Sequence, residues 1–456
     1  MGYANLIFLY GFLPLCLILY YFFNSIFIRN LILILFSLIF YAWGEPLWIL
    51  ILLFSAVFNW FLGVNAHRFR MESLGRILMI FAVAVDILLL VVFKYTGVVN
   101  PFPLGISIYT LQAISYVIDC YRDRIEPQDR FYLFLLYFCM FPRIMGGPVE
   151  RYRDMESRLE SRTISASDIY EGILRLVTGL TKIIVFAGHL LPIADTFFDS
   201  SFSGLSVLGA WYALLCFTLY LYFELSGFSD IAIGLSRLFG FHLKENFDHP
   251  YMCRTITEFW QRWYVSLGTF FGDYLFPSVA RRFHKSLALC LVWVLMGLWH
   301  TAAWNGLLWG LFHGLFLLLE QLLGEERIRR IPVWIKHIYT KLVILIGFGI
   351  LYFDDMRKLG GFFRNLFGIS LFTGSAGLTD PAALQSLTGS LILLIPAIIL
   401  CAPVRKRITE PFLNSKNDAV YKRTLILQMA GCILLLAVCT LFLADGSAGS
   451  LLYWKL

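Results

Sequence analysis

A chain of 456 residues that is 59% hydrophobic, 17% aromatic and only 15% charged is not a soluble globular protein, where roughly 25% of residues carry charge. Its mean hydropathy is +0.74, so most side chains face lipid or one another. The net charge of +7 fits an excess of Lys and Arg in cytoplasmic loops; with no basic-aromatic binding module in the chain, no nucleic-acid partner is expected.

Each membrane crossing takes roughly 20 residues, so the length suits one all-α polytopic domain of about eleven to thirteen helices, with re-entrant and interfacial pieces among them. Apolar runs predict spans at 6–23, 31–43, 48–64, 78–93, 106–118, 131–140, 180–191, 205–225, 287–300, 307–323, 333–353, 391–402 and 425–443. The first run lacks a basic flank and a small-residue cleavage site, so it is expected to remain as a helix. Domain 1–456 divides into N-terminal helices (1–100), a core (101–325) and C-terminal helices (326–456). The loops 67–76, 122–130 and 150–162 are the most charged and are read as solvated. The nine cysteines are scattered without a CxxC pair, which points to neither a disulfide frame nor a metal site.

Four segments carry polar groups in unusual places. In 105–122, GISIYTLQAISYVIDCYR, the residues Tyr109, Gln112, Tyr116, Asp119 and the following Asp123 keep the 3,4 spacing of one helical stripe. Such a stripe points inward, either lining a cavity or bonding a neighbouring helix for about 0.6–2 kcal/mol per bond. In 141–150, FPRIMGGPVE, two prolines and a Gly-Gly pair break the helix, and broken backbone at depth needs protein or a cavity around it. Arg143 there could hold a phosphate or carboxylate, or snorkel to the interface. In 224–241, Ser226, Asp230 and Arg237 share a face beside Gly234, and an internal Asp–Arg pair is the favoured reading. Segment 257–276 alternates a polar stripe (Glu258, Arg262, Ser266, Thr269, Asp273) with an aromatic face, the pattern of an interfacial amphipathic helix.

The fifth segment, GLWHTAAWNGLLWGLFHG over 297–314, carries His300 and His313. On a continuous helix these would lie about 140° apart and would not converge as a metal pair does. His300 follows some fifteen nearly all-apolar residues, beside Trp299 and Trp304. A histidine at such depth is either a satisfied structural residue or a reactive one. A neutral imidazole can take a proton from a hydroxyl and return it, as acyl transfer requires.

The blocks FYAWGEPLWIL, GISIYTLQAISYVIDCYR, FPRIMGGPVERYRDM, LSGFSDIAIGLSRLFGFHLKENFDHPY, TEFWQRWYVSLGTFFGDYLF and GLWHTAAWNGLLWGLFHG, in this order, resemble the membrane-bound O-acyltransferase family, in the branch that acetylates bacterial exopolysaccharides such as alginate. The resemblance implies an all-α fold around a central funnel in the bacterial cell membrane, with the acyl group entering as a cytoplasmic thioester. It places the family's invariant histidine on His300 and its second polar residue on Tyr264, where the branch usually has His. Thr301 stands where Gly is usual, and FDDMRK replaces the arginine-bearing segment after Tyr352.

On this resemblance His300 is the general base and Tyr264 binds acceptor or acyl oxygen. Asp119, Arg143, Asp230, Arg237, Trp299, Trp304, Asn305 and His313 are the candidate substrate-binding residues. The implied donor is acetyl-CoA or an acyl-carrier thioester, drawn to the basic residues of 143–153, with no bound cofactor. A cavity walled by 105–122, 141–150 and 257–276 is expected to lead the donor to His300. The implied acceptor is an extracytoplasmic polysaccharide or an SGNH-type partner acyltransferase, since the chain has no G-x-S-x-G nucleophile motif of its own. The alternatives are a teichoic acid D-alanyltransferase served by a carrier protein, a non-catalytic relative, and a transporter with broken helices.

Overall fold

The computed structural model describes residues 2–44, 46–96, 103–198, 202, 204–415 and 417–446; Glu45, within FYAWGEPLWIL, lies outside them. The main elements are α1 (Phe8–Phe22), α2 (Ile26–Gly44), α3 (Ile49–Arg68), α4 (Ser73–Tyr95), α5 (Ile106–Tyr121), α6 (Phe131–Cys139), α7 (Tyr152–Glu160), α8 (Ala166–Phe198) and α9 (Val207–Leu238). They continue with α10 (Ile256–Arg262), α11 (Val265–Phe270), α12 (Lys285–His300), α13 (Trp304–Leu323), α14 (Val333–Tyr352), α15 (Met356–Leu366), α16 (Pro381–Leu400), α17 (Val404–Leu413) and α18 (Asp418–Ala444).

Among the described residues nine helices are long and apolar enough to cross a membrane: α2, α3, α4, α8, α9, α13, α14, α16 and α18; α1 and α12 are apolar but shorter. The architecture is all-α and polytopic. Three expected spans change character. The run 106–118 lies in α5, a 16-residue helix that falls short of a full crossing. The run 131–140 forms the nine-residue α6, too short to cross a bilayer that takes roughly 20 residues. The run 180–191 is the middle of α8, a 33-residue helix that continues through a π-helical turn at Lys182–Ala187.

The chain divides into two compact units, Met1–Leu180 with Phe228–Glu245, and Thr181–Gly227 with Asn246–Leu456. In the first, α5 is buried on nearly every side. Gly63 on α3 makes room for the Tyr116 ring: a Cβ there would stand 2.5 Å from it. The Tyr116 hydroxyl accepts the Gln128 amide at 3.1 Å, and the Gln128 side chain donates to Tyr152 at 2.7 Å. The inward stripe expected on α5 therefore serves packing and hydrogen bonding at Tyr116. Asp123 lies past the helix end, at φ +56°.

The broken segment after α6 is enclosed by protein, as unpaired backbone in an apolar setting demands. Ser37 on α2 accepts the Phe141 amide at 3.0 Å, and the Tyr3 hydroxyl donates to the Phe141 carbonyl at 2.5 Å. The Phe141 ring packs on Phe12 and Phe40.

In the second unit, α12 and α13 form a tight hairpin closed at Thr301, which is extended (φ −150°, ψ 132°). Glycines let the two backbones touch. A Cβ on Gly297 would lie 2.1 Å from the Gly306 carbonyl oxygen, and one on Gly310 2.4 Å from that of Trp293. Small residues at a helix crossing are the usual means of close packing in membranes.

The amphipathic helix expected over 257–276 is interrupted. Helix α10 ends at Arg262, Trp263 pairs with Phe247 in an isolated β-bridge, and Tyr264 is left-handed at φ +49° before α11 begins. The cause is a partner distant in sequence. The Asn246 carbonyl accepts the Val265 amide at 3.0 Å. Its side-chain oxygen accepts the Ser266 amide at 3.0 Å and hydroxyl at 2.9 Å. Asn246 thus caps α11 from outside and pulls the chain out of helix. Asn246→Ala should lower stability by about 0.5–2 kcal/mol, the usual worth of a cap. Asn246→Asp, which keeps the accepting oxygen, should lose less. Thermal unfolding in detergent measures both, and equal loss in the two variants would remove the capping role.

Candidate active site

His300 is the last residue of α12, and its position follows from the hairpin. Its ring lies 4.9 Å from that of Trp299 and 5.3 Å from that of Trp309 on α13. The imidazole is half-buried, framed by two indoles yet reachable. The 140° separation would hold only on a continuous helix; the chain instead reverses between His300 and His313, in the gap between the expected spans 287–300 and 307–323. Both imidazoles pack against Trp309, His313 at 4.9 Å.

The two histidines nonetheless differ. His313 is 0% exposed, ringed by Trp260 at 4.8 Å, Trp293 at 5.9 Å and Phe312 at 5.3 Å. Neither of its ring nitrogens has a hydrogen-bond partner among the described residues. It fills the aromatic bed under Trp309. From sequence Trp260 reads only as part of the aromatic face of 257–276, and Trp309 is not singled out. The sequence held a partial signal: a reversal after 300 lays the second arm back along the first, so that aromatic rings on the two arms can meet.

The remaining candidates of this unit separate. Trp304 is 68% exposed and sits outside the aromatic bed. Asn305 is committed to structure: its amide donates to the Leu351 carbonyl at 2.9 Å and to Asp354 at 3.2 Å, tying the start of α13 to the end of α14. Asp354 belongs to the FDDMRK stretch, which therefore anchors the hairpin. Tyr264 is half-buried, edge-on to Phe247 at 5.7 Å. Burial holds its phenol above the ordinary tyrosine value, so it offers a hydrogen bond and is no base at neutral pH. Its left-handed backbone costs about 1–2 kcal/mol for an L-residue.

In the first unit the four charged candidates have local partners. Asp119 meets Arg124 at 3.4 Å. The expected Asp230–Arg237 pair does not form. Asp230 binds Arg175 on α8 at 2.8 Å, and Arg237 lies 3.4 Å from Asp168. Gly234 is the reason α8 comes so close, since a Cβ there would be 2.6 Å from the Leu176 amide. Arg143 is 1% exposed, so it does not snorkel. Its guanidinium lies 4.7 Å above the Tyr137 ring and contacts the Met155 sulfur at 3.8 Å. Burial lowers its pKa and raises that of the neighbouring Glu150. Arg151 is also buried, which leaves Arg153 as the exposed arginine of 143–153. His67, Asp123 and Glu126 come within metal-ligand spacing of one another. Arg70 occupies that place, 3.0 Å from His67 Nε2 and 3.4 Å from Asp123, and makes the group an ion-pair cluster.

Known proteins resemble this chain over most of its length. A probable alginate O-acetylase of Azotobacter vinelandii is 33% identical over 437 residues, covering 90% of this chain and 86% of that protein. The chain belongs to the membrane-bound O-acyltransferase family. It is a multi-pass membrane acyltransferase. The family profile matches residues 128–329, which include every site candidate named above except Asp119. A peptidoglycan O-acetyltransferase of Helicobacter pylori is 30% identical over 363 residues, 68% of each chain. A teichoic acid D-alanyltransferase of Bacillus subtilis is 27% identical over 232 residues, covering 47% of this chain and 58% of that one.

The seat of His313 gives a direct test of the aromatic bed. A Cβ on Gly347 of α14 would lie 2.3 Å from His313 Nε2. Gly347→Ala should therefore cost about 1–3 kcal/mol by overpacking and displace the ring toward Trp260 and Trp309. Gly360→Ala, where nothing lies within 4 Å, is the control. Equal melting temperatures for the two variants in detergent would contradict the packing described.

Proposed function

We propose that this acyltransferase is an O-acetyltransferase of a bacterial inner membrane. It takes its acyl group from a cytoplasmic thioester, acetyl-CoA or an acyl-carrier protein, and delivers it to a hydroxyl of an extracytoplasmic polysaccharide or of a partner acyltransferase. The observation that carries the catalytic assignment is the contrast between two histidines on one hairpin. His300 is half-buried and reachable at a helix end, whereas His313 is sealed.

The chemistry follows from a neutral imidazole. His300 accepts the proton of the acceptor hydroxyl as that oxygen attacks the thioester carbonyl. The tetrahedral adduct collapses with cleavage of the C–S bond. The imidazolium then returns its proton to the departing thiolate, and the ester leaves on the acceptor. The indoles of Trp299 and Trp309 restrict the ring's orientation and exclude water from its faces, which favours transfer over hydrolysis. Tyr264, protonated at neutral pH, donates a hydrogen bond to the acceptor or to the carbonyl oxygen as negative charge gathers there.

The polysaccharide reading is favoured over D-alanyl transfer by the reach of the similarity, which covers most of the chain for the alginate relative and about half for the teichoic acid relative. The experiment is reconstitution in liposomes with radiolabelled acetyl-CoA and assay of label on glycan or partner protein. His300→Ala should leave the protein folded and lower transfer by about 10²–10⁴-fold; more than half the wild-type rate would sink the assignment.

Tyr264 generates a separate expectation. Tyr264→Phe should lower the rate by removing the hydroxyl. Tyr264→His should match or exceed wild type, because histidine accepts the left-handed backbone more readily and supplies a polar ring. Identical turnover in all three proteins would reduce Tyr264 to packing.

A further inference from the structure

Glu320, near the far end of α13, is only 6% exposed, and its carboxylate is spent on another helix. One oxygen accepts the Ile256 amide at 2.6 Å; the other accepts the Thr257 amide at 2.8 Å and the Thr257 hydroxyl at 2.6 Å. Ile256 and Thr257 open α10, and the first amides of a helix have no partner within it. Thr255 meets the Glu258 amide at 3.0 Å, so the first turn is completed jointly by a local cap and by Glu320. The negative charge also sits at the positive end of the helix.

A helix of seven residues is not stable by itself, so anchors outside it decide where it lies. Glu320 anchors its start. The Asp248 amide donates to the Arg262 carbonyl at 3.0 Å and anchors its end. Between these points Trp260 packs against Trp293 at 4.8 Å, Trp309 at 5.4 Å and His313 at 4.8 Å. Trp309 is one of the two indoles against His300, and Tyr264 follows two residues after α10 ends. Glu320 and Trp309 share α13, about 16 Å apart along its axis.

We propose that Glu320 is a positioning residue: by gripping the first turn of α10 it seats Trp260 beneath Trp309, and so holds the His300 imidazole in its reactive orientation. This rests on the acetyltransferase reading above. The carboxylate's three bonds to α10 all come from donors, a set an amide cannot reproduce, because its NH2 would face an N–H; the Tyr339 hydroxyl of α14 also meets it.

The test compares wild type, Glu320→Gln, Thr257→Val and His300→Ala in liposomes with acetyl-CoA. It is paired with the rate at which diethyl pyrocarbonate carbethoxylates the His300 peptide, read by mass spectrometry. Glu320→Gln should lower kcat by roughly ten- to a hundredfold, the scale of an ångström misplacement, with KM for acetyl-CoA within about twofold and faster carbethoxylation of His300. Thr257→Val, which removes one bond of the three, should move both readouts the same way but less, and stands in if the Gln variant does not fold. A lower melting temperature with kcat and His300 reactivity both unchanged overturns the proposal. If wild type transfers no acetyl group, the functional reading fails. The carbethoxylation rate still decides the positioning: faster in Glu320→Gln supports it, unchanged rejects it.

Discussion

The contact between the backbones of α12 and α13 is the constraint on which the site depends. Gly297, Gly306 and Gly310 are not there for flexibility. Each faces a carbonyl oxygen at a distance no side chain can occupy. Only at that separation do residues on the two arms mesh in one layer, Trp293 and His300 from one helix with Trp309 and His313 from the other. Lipid offers no hydrophobic force to drive such pairing, so close van der Waals contact has to hold it. Asn305, tied to α14 at one end of α13, then fixes the arm that carries Trp309.

Charge inside the first unit obeys a different economy. An unpaired ion in an apolar interior is costly, and partners close in space are the common remedy. Asp230 finds Arg175, Arg237 finds Asp168, and Asp119 finds Arg124. Asp86 on α4 is met by the Asn59 amide of α3 at 2.9 Å. These are the same residue types that mark substrate sites, so a list of polar residues in apolar runs mixes scaffold with chemistry. Arg143 stands apart, stacked on Tyr137 with sulfur for company, where aromatic and polarizable neighbours take the place of a carboxylate within bonding distance.

The legible part of the sequence was local. Apolar runs of sufficient length marked most of the spans, and the prolines and paired glycines of 141–150 marked the broken segment. The choice of His300 rested on an ionisable ring within an apolar run and on the family blocks. What escaped were bonds between residues far apart in the chain. Helical periodicity over 257–276 is genuine in the side chains, yet Asn246 overrides it at Trp263 and Tyr264. The Asp230–Arg237 spacing invited a pair within one helix. The pairing instead went to α8, because Gly234 brings that helix within reach. The 140° separation of the two histidines assumed a helix that Thr301 ends.

The break at Tyr264 and the reversal after His300 have a common logic. Regular helices satisfy their own backbones, and their side chains point at fixed intervals. A reactive ring is easier to present where a helix stops, because the next residue no longer covers it. His300 has that position, and the tryptophans on either side restore the order that the missing turn removes. Tyr264 reaches a similar freedom at the expense of a left-handed backbone, sustained by Asn246 on one side and by the anchored α10 on the other. Strain of this kind persists only when surrounding contacts over-determine it. The density of bonds around α10, from Glu320 at its start to Asn246 beyond its end, is what such strain requires.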